Sequence, residues 1–156
     1  MRKLATLLSL LASTGCGVNV LDGSLSEAYD LAFSDVKVQR GQQAMAVTYL
    51  AASGNETVAK LTVDLSGVAL SGGGSINLAE DYAPGHPRAT VTRAMQNEPV
   101  LVLPQIDQGQ LSLSAPPDPG NTISGSFHIL FGQGGDLGAG RTLDGKFTAL
   151  VEATDG

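Results

Sequence analysis

The chain has 156 residues, of which 42% are hydrophobic and 15% charged, a composition that excludes an intrinsically disordered chain and a length that suits one ordinary domain. Its formal net charge of −6 repels phosphate backbones, so we expect no nucleic-acid partner. The 20 glycines and the many Val and Thr residues favour strands and turns over helices. We therefore predict an all-β fold.

The first fifteen residues have the three zones of a secretory signal peptide. Arg2 and Lys3 give a positive start, residues 4–12 form an apolar run, and residues 13–15 are small. The apolar run is much shorter than the roughly 20 residues that a membrane-spanning helix needs. We therefore predict that residues 1–15 are a signal peptide, with a buried N-terminal helix of the domain as the alternative.

Cys16 is the only cysteine and follows Ser13, Thr14 and Gly15 directly. A lone thiol in an exported protein has no partner for a disulfide. Here the sequence resembles the bacterial lipoprotein signal, although Ser13 stands where the lipobox usually has Leu. The resemblance implies that Cys16 is diacylated on sulfur, becomes the first mature residue and holds the protein on a membrane. It also implies delivery to the outer membrane, because Gly17 replaces the Asp that retains some lipoproteins at the inner membrane. The alternative is ordinary cleavage that leaves a spare thiol.

Residues 16–28 show no long pattern and are predicted to form a lipid-attached tether, which leaves residues 29–156 as a single β domain. Beyond the tether, alternating or apolar segments bounded by turn residues predict about eight to ten short strands. That number suits an antiparallel β-sandwich or a small β-barrel. We find no convincing helical periodicity, and any helix would be short and would lie within residues 93–98.

Two heptapeptides near the C-terminus, I-S-G-S-F-H-I and L-D-G-K-F-T-A, share the pattern apolar-x-Gly-x-Phe-x-apolar. Glycine inside a strand weakens it unless a neighbouring side chain covers the gap. We therefore predict an antiparallel hairpin in which Phe127 lies opposite Gly145 and Phe147 lies opposite Gly125. Residues 132–140 form the loop between the strands.

No motif indicates a cofactor, a metal or a catalytic centre. The glycine clusters lack the Gly-Lys-Ser/Thr of a phosphate-binding loop, and no Ser lies in a G-x-S-x-G elbow. The two histidines, His86 and His128, lie far apart in the sequence, and the only thiol is assigned to the lipid. We therefore expect no metal site and no cofactor.

The most polar segment is residues 80–88, which also contain two prolines. Its mixture of carboxylates, an imidazole and a guanidinium makes it the best candidate for a binding loop, with an ordinary turn as the alternative. The candidate binding residues are Glu80, Asp81, Tyr82, His86 and Arg88.

The leading functional prediction is a membrane-anchored, non-enzymatic binding or structural module of the cell envelope, with an envelope protein as a further partner. A carrier of small apolar ligands is the second prediction and requires a barrel with an apolar cavity. An envelope hydrolase is the third and requires polar residues that converge in one cleft. The general look, including a Gly-x-Phe strand near the C-terminus, resembles several surface-lipoprotein families of unassigned function and implies no particular site.

Overall fold

The computed structural model describes residues 18–154, and within them the all-β prediction is confirmed. The described part has twelve strands, a single 3₁₀ turn at Ser24–Glu27 and no α-helix. The strands are β1 (Val20–Asp22), β2 (Asp35–Arg40), β3 (Ala44–Leu50), β4 (Thr57–Asp64), β5 (Gly74–Asn77), β6 (Asp81–Ala83), β7 (His86–Pro87), β8 (Ala89–Ala94), β9 (Leu101–Val102), β10 (Ile106–Leu113), β11 (Thr122–Phe131) and β12 (Thr142–Ala153). Four of them have only two or three residues, too few to show alternation, which is why fewer strands are predicted from the sequence.

Ten of the strands form one sheet that curls into a half-barrel, in the order β5-β10-β11-β12-β2-β3-β4-β8-β9, with β1 also paired to β12. Strand β12 joins two layers of this sheet. Its first part pairs antiparallel with β11 and β1, and Val151–Ala153 then pair parallel with β2. We call β1, β5, β10, β11 and the first part of β12 the first layer, and β2, β3, β4, β8 and β9 the second layer.

The predicted register of the C-terminal hairpin is confirmed. Phe127 lies opposite Gly145, and Phe147 lies opposite Gly125. A Cβ atom on either glycine would overlap the facing phenyl ring, so each ring occupies the space that the glycine leaves free. Both phenylalanines are buried, and their rings belong to the single core between the layers.

Tyr49 of β3 lies at the centre of this core and connects the two layers. Its ring packs edge-to-face on Phe33 and on Phe127, with centroid distances of 4.9 and 6.2 Å. Its hydroxyl donates a hydrogen bond of 2.9 Å to the carbonyl of Lys146 on β12. Burial raises the pKa of the Tyr49 hydroxyl well above its ordinary value, so the group stays protonated and able to donate.

The predicted tether over residues 16–28 is wrong from Val20 onward. Strand β1 pairs with residues 144–146 of β12, and Leu25 in the following 3₁₀ turn is only 2% exposed. The side chain of Asn19 also accepts a 2.8 Å hydrogen bond from the backbone N–H of Thr148. A strand of three residues carries no pattern, and its partner lies more than a hundred residues away, so the sequence does not reveal this pairing. Cys16 and the predicted signal peptide lie outside the described residues.

The short helix considered within residues 93–98 is also wrong. Arg93 and Ala94 end strand β8, and the chain then turns, with the N–H of Glu98 bonded to the carbonyl of Met95 at 3.2 Å. Arg93 is only 3% exposed, and its guanidinium contacts the Glu98 carboxylate at 3.0 Å. The polar turn is therefore fixed by a buried cation rather than by helical hydrogen bonds.

Candidate functional site

The predicted binding loop forms a small separate hairpin, β6–β7, at the edge of the domain. The structure does bring its five candidate residues together, but in two groups. Asp81, Tyr82 and His86 lie exposed on the two strands of the hairpin, and we call this group the tip; the Tyr82 and His86 rings are 5.7 Å apart and tilted by 38°. The other two residues lie at the base of the hairpin.

Arg88 at the base is a structural residue, because its side chain is only 8% exposed and points into the protein. Its Nη1 donates hydrogen bonds of 3.0 Å to each of the carbonyls of Asp64 and Ser66, in the turn that follows β4. Its Nε lies 3.3 Å from the Glu80 carboxylate without the geometry of a hydrogen bond. The guanidinium thus satisfies two backbone carbonyls and is not free to hold a ligand.

The Asp64 carboxylate completes the base of the hairpin. It accepts a 2.8 Å hydrogen bond from the N–H of Ser66. The hydrogen bonds from Ser66 lower the pKa of Asp64, the charge of Arg88 lowers it further, and desolvation opposes both. The charges at the base are therefore compensated by the protein itself, which leaves only the tip of the hairpin for an outside partner.

The tip offers one carboxylate, one phenol and one imidazole. The structure contains no group of three or more His, Cys, Asp and Glu side chains that could hold a metal ion, a statement that applies to residues 18–154. A metal site needs several ligands that converge at fixed distances. The tip can therefore offer hydrogen bonds to a partner, but it has no arrangement for metal chemistry.

A second polar surface, not predicted from the sequence, covers the outer face of the first layer. The register of the five strands places side chains in two continuous rows across β5, β10, β11, β12 and β1. The serine row consists of Ser75, Ser112, Ser126, Lys146 and Val20. The His–Asp row beside it consists of Asn77, Gln110, His128, Asp144 and Asp22.

Hydroxyl groups on this face bond to one another. The oxygens of Ser75 and Ser112 are 3.1 Å apart, and those of Ser124 and Thr148 are 2.8 Å apart. Because a hydroxyl can donate and accept at the same time, such pairs keep capacity for a further partner. This part of the face therefore consists of small polar side chains that can bind oxygen-rich groups.

His128 and Asp144 form the charged contact of the face. The His128 Nδ1 lies 2.5 Å from an Asp144 carboxylate oxygen, and the two side chains are 61% and 47% exposed. Water screens a pair as exposed as this one, so it contributes little to stability. The serines that are hydrogen-bonded on this face bond to other hydroxyl or backbone groups and not to His128. The arrangement therefore resembles a polar binding surface more than a nucleophile with its base.

The serine row forms part of an open trough of about 730 Å³. Serine hydroxyls line its floor, Val18 and Val20 form one wall, and Lys146 is the one charged side chain among the described residues that line it. The sequence does show Ser112, Ser114, Ser124 and Ser126 in alternation, but an outward-facing serine is ordinary in any strand. Only the register of four strands shows that these hydroxyls meet in one trough next to β1.

In comparisons with known proteins, no protein-family model, curated protein or solved structure matches this chain. Among the described residues, none of the secondary-structure elements is a helix with the length and apolar character needed to span a bilayer.

Proposed function

We propose that the chain is an exported lipoprotein, acylated at Cys16, whose β domain is a non-enzymatic binding or structural module of the cell envelope. The observation that carries the proposal is the sequence Ser13-Thr14-Gly15-Cys16 after a charged start and an apolar run, with no second cysteine. Each buried methylene of an acyl chain contributes about 0.8 kcal/mol, so two or three chains anchor a protein stably.

The described residues support a binding role more than a catalytic one. The buried arginines bond to backbone carbonyls, and the exposed polar groups lie on an open sheet face and at the tip of a hairpin. Catalysis needs convergent groups held in a site that limits water. The side chains that fill the core, with Tyr49 at its centre, give no support to the alternative of a small-ligand carrier.

Intact-mass analysis of the membrane fraction tests the anchor. The wild type is expected to begin at Cys16 and to carry added acyl mass, and Cys16→Ser is expected to lose both the acyl mass and the membrane association. Ser13→Leu is the matched control, because it keeps the cysteine and restores the usual lipobox residue, so its processed fraction should equal or exceed that of the wild type. An unacylated wild-type product would contradict the proposal.

Delivery to the outer membrane is tested by separating the two membranes on a density gradient. The acylated wild type is expected in the outer-membrane fraction, and Gly17→Asp is expected to move it toward the inner membrane. The same distribution for both proteins would contradict the assignment to the outer membrane while leaving the anchor intact.

A further inference from the structure

The trough on the first layer lies next to the predicted lipid attachment point. Val18 lines the trough, and only two peptide units separate it from Cys16. Because consecutive Cα atoms are 3.80 Å apart, the Cα atoms of these two residues lie within about 7.6 Å of each other. The headgroup region on each side of a bilayer is about 5–8 Å thick. An acylated Cys16 therefore holds Val18 within or directly on the headgroup layer.

The pairing of β1 makes this closeness unavoidable. A free tether over residues 16–28 would let the domain move about 40 Å from the membrane. Instead, Asn19 is bonded to the backbone of Thr148, and Val20 begins a strand on β12. The link between the acylated residue and the folded sheet is thus three residues long, which keeps β1 close to the lipid attachment point.

The trough has the charge and polarity that a headgroup layer requires. None of the residues from 18–154 that line it is acidic, although the chain as a whole has a net charge of −6. Lys146 supplies one positive charge, and serine hydroxyls supply hydrogen-bond donors for phosphate oxygens. Val18, which is 80% exposed, and Val20 form an apolar wall on the side of the anchor. The adjoining row has two carboxylates, of which Asp144 contacts His128 and the exposed Asp22 accepts a hydrogen bond from the N–H of Gly23.

We propose that the domain rests on the membrane through this trough, with phospholipid headgroups as its occupant. The proposal depends on the acylation of Cys16 proposed above. Lys146 and the serine hydroxyls that line the trough contact the lipid phosphates, and Val18 and Val20 point toward the acyl chains. The hairpin β6–β7 takes no part in this lipid contact and stays available to another partner.

Thiol accessibility on vesicles tests this orientation. Acylation consumes the only native thiol, so an introduced cysteine is the one free thiol of the anchored protein. We compare Ser126→Cys in the trough with Thr90→Cys, another exposed strand position, on the outer face of the second layer. The full chain, with its acylation verified by mass, is reconstituted into vesicles of phosphatidylethanolamine and phosphatidylglycerol. The rate of reaction with a charged maleimide is then measured with and without detergent.

On vesicles the thiol at position 126 is expected to react about tenfold more slowly than in detergent, because it lies within the headgroup layer. The thiol at position 90 is expected to react equally fast in both. Adding Lys146→Glu to Ser126→Cys reverses the charge of the trough lysine. The ratio of the reaction rate in detergent to that on vesicles should then fall about fivefold. Lys37→Glu, an exposed lysine on β2, is the matched charge reversal and should leave the protection unchanged.

The possible failures are distinguishable. If the acylated protein reacts equally fast at positions 126 and 90 on vesicles, the lipid-docking proposal is wrong. The lipoprotein proposal is then unaffected. Absence of acyl mass overturns both proposals. Protection of position 126 in native membranes but not in pure lipid vesicles also overturns lipid docking and assigns the trough to an envelope protein.

Discussion

The hairpin β11–β12 and the hairpin β6–β7 differ in what holds them in place. In β11–β12, two phenyl rings fill the spaces above two glycines, and the pairing extends over nine residue pairs. In β6–β7, two residue pairs meet, and the base is fixed by the hydrogen bonds of Arg88 to backbone carbonyls. The first hairpin builds the core, whereas the second is attached to it by one buried cation.

The comparison shows that a local cluster of charged residues is a poor predictor of a binding site, whereas a pattern of spaced residue types can predict strand register. The segment 80–88 is rich in charged groups, yet its arginine is hydrogen-bonded to backbone carbonyls of the protein itself. The glycine and phenylalanine pattern of the other hairpin predicts a register, because only one pairing places each ring over a glycine. A geometric constraint between residue types is thus more informative than an accumulation of polar ones.

The largest effect is expected from breaking the ring contacts of β11–β12. Phe127→Ala should lower the free energy of unfolding by about 3–5 kcal/mol, since it leaves a cavity in the core. Gly145→Ala should lower it by about 1–3 kcal/mol, because its methyl group would overlap the Phe127 ring. Urea unfolding of the unacylated Cys16→Ser protein measures both effects.

Gly135→Ala is the matched control for the glycine substitution. Gly135 lies in the loop between the same two strands, has no positive φ, and would place its Cβ in open space. Its replacement should therefore change the stability very little. Equal effects of Gly145→Ala and Gly135→Ala would contradict the close packing of ring on glycine.

A smaller effect is expected at the base of β6–β7. Arg88→Met keeps most of the buried stem but leaves the carbonyls of Asp64 and Ser66 without their donor, which should cost about 2 kcal/mol. Glu80→Gln removes only the ion pair with a half-exposed carboxylate, and its cost should stay below about 1 kcal/mol. If the two variants lose equal stability, the ion pair rather than the carbonyl contacts holds the hairpin.

At neutral pH, Tyr49→Phe is expected to have a smaller effect than Arg88→Met, because it removes one hydrogen bond between the layers at a cost of about 1 kcal/mol. Because burial raises the folded-state pKa of Tyr49 above its ordinary value of 10.0, its protonated form is favoured in the folded protein. The corresponding stability is present below about pH 10 and is lost as the pH rises through the folded-state pKa. Unfolding measured from pH 8 to pH 11 should therefore show a steeper alkaline loss in the wild type than in Tyr49→Phe. Parallel curves would mean that the hydroxyl is not buried as described.

Much of the fold, but little of the polar surface, is predictable from the sequence. Alternation within β4, β8, β11 and β12 is visible because each has one face in the core. Strand β1 is too short to show such alternation, and the helix considered within residues 93–98 is replaced by a turn fixed by Arg93. Of the five predicted binding residues, Arg88 is structural and the half-exposed Glu80 pairs with it, so three exposed residues are left without a role in fixing the hairpin.

The all-β class and the register of β11–β12 can be predicted from the amino-acid sequence, because alternation and the ring-on-glycine constraint act between residues close along the chain. Three features are visible only in the folded protein: β1 joins the sheet, Arg88 and Arg93 donate hydrogen bonds to backbone carbonyls, and the serines of two neighbouring strands line one trough. Those features depend on contacts between distant segments, for which the local pattern carries no signal. The placement of polar groups on a sheet is fixed by strand register, and register between distant strands is set by how the whole core packs.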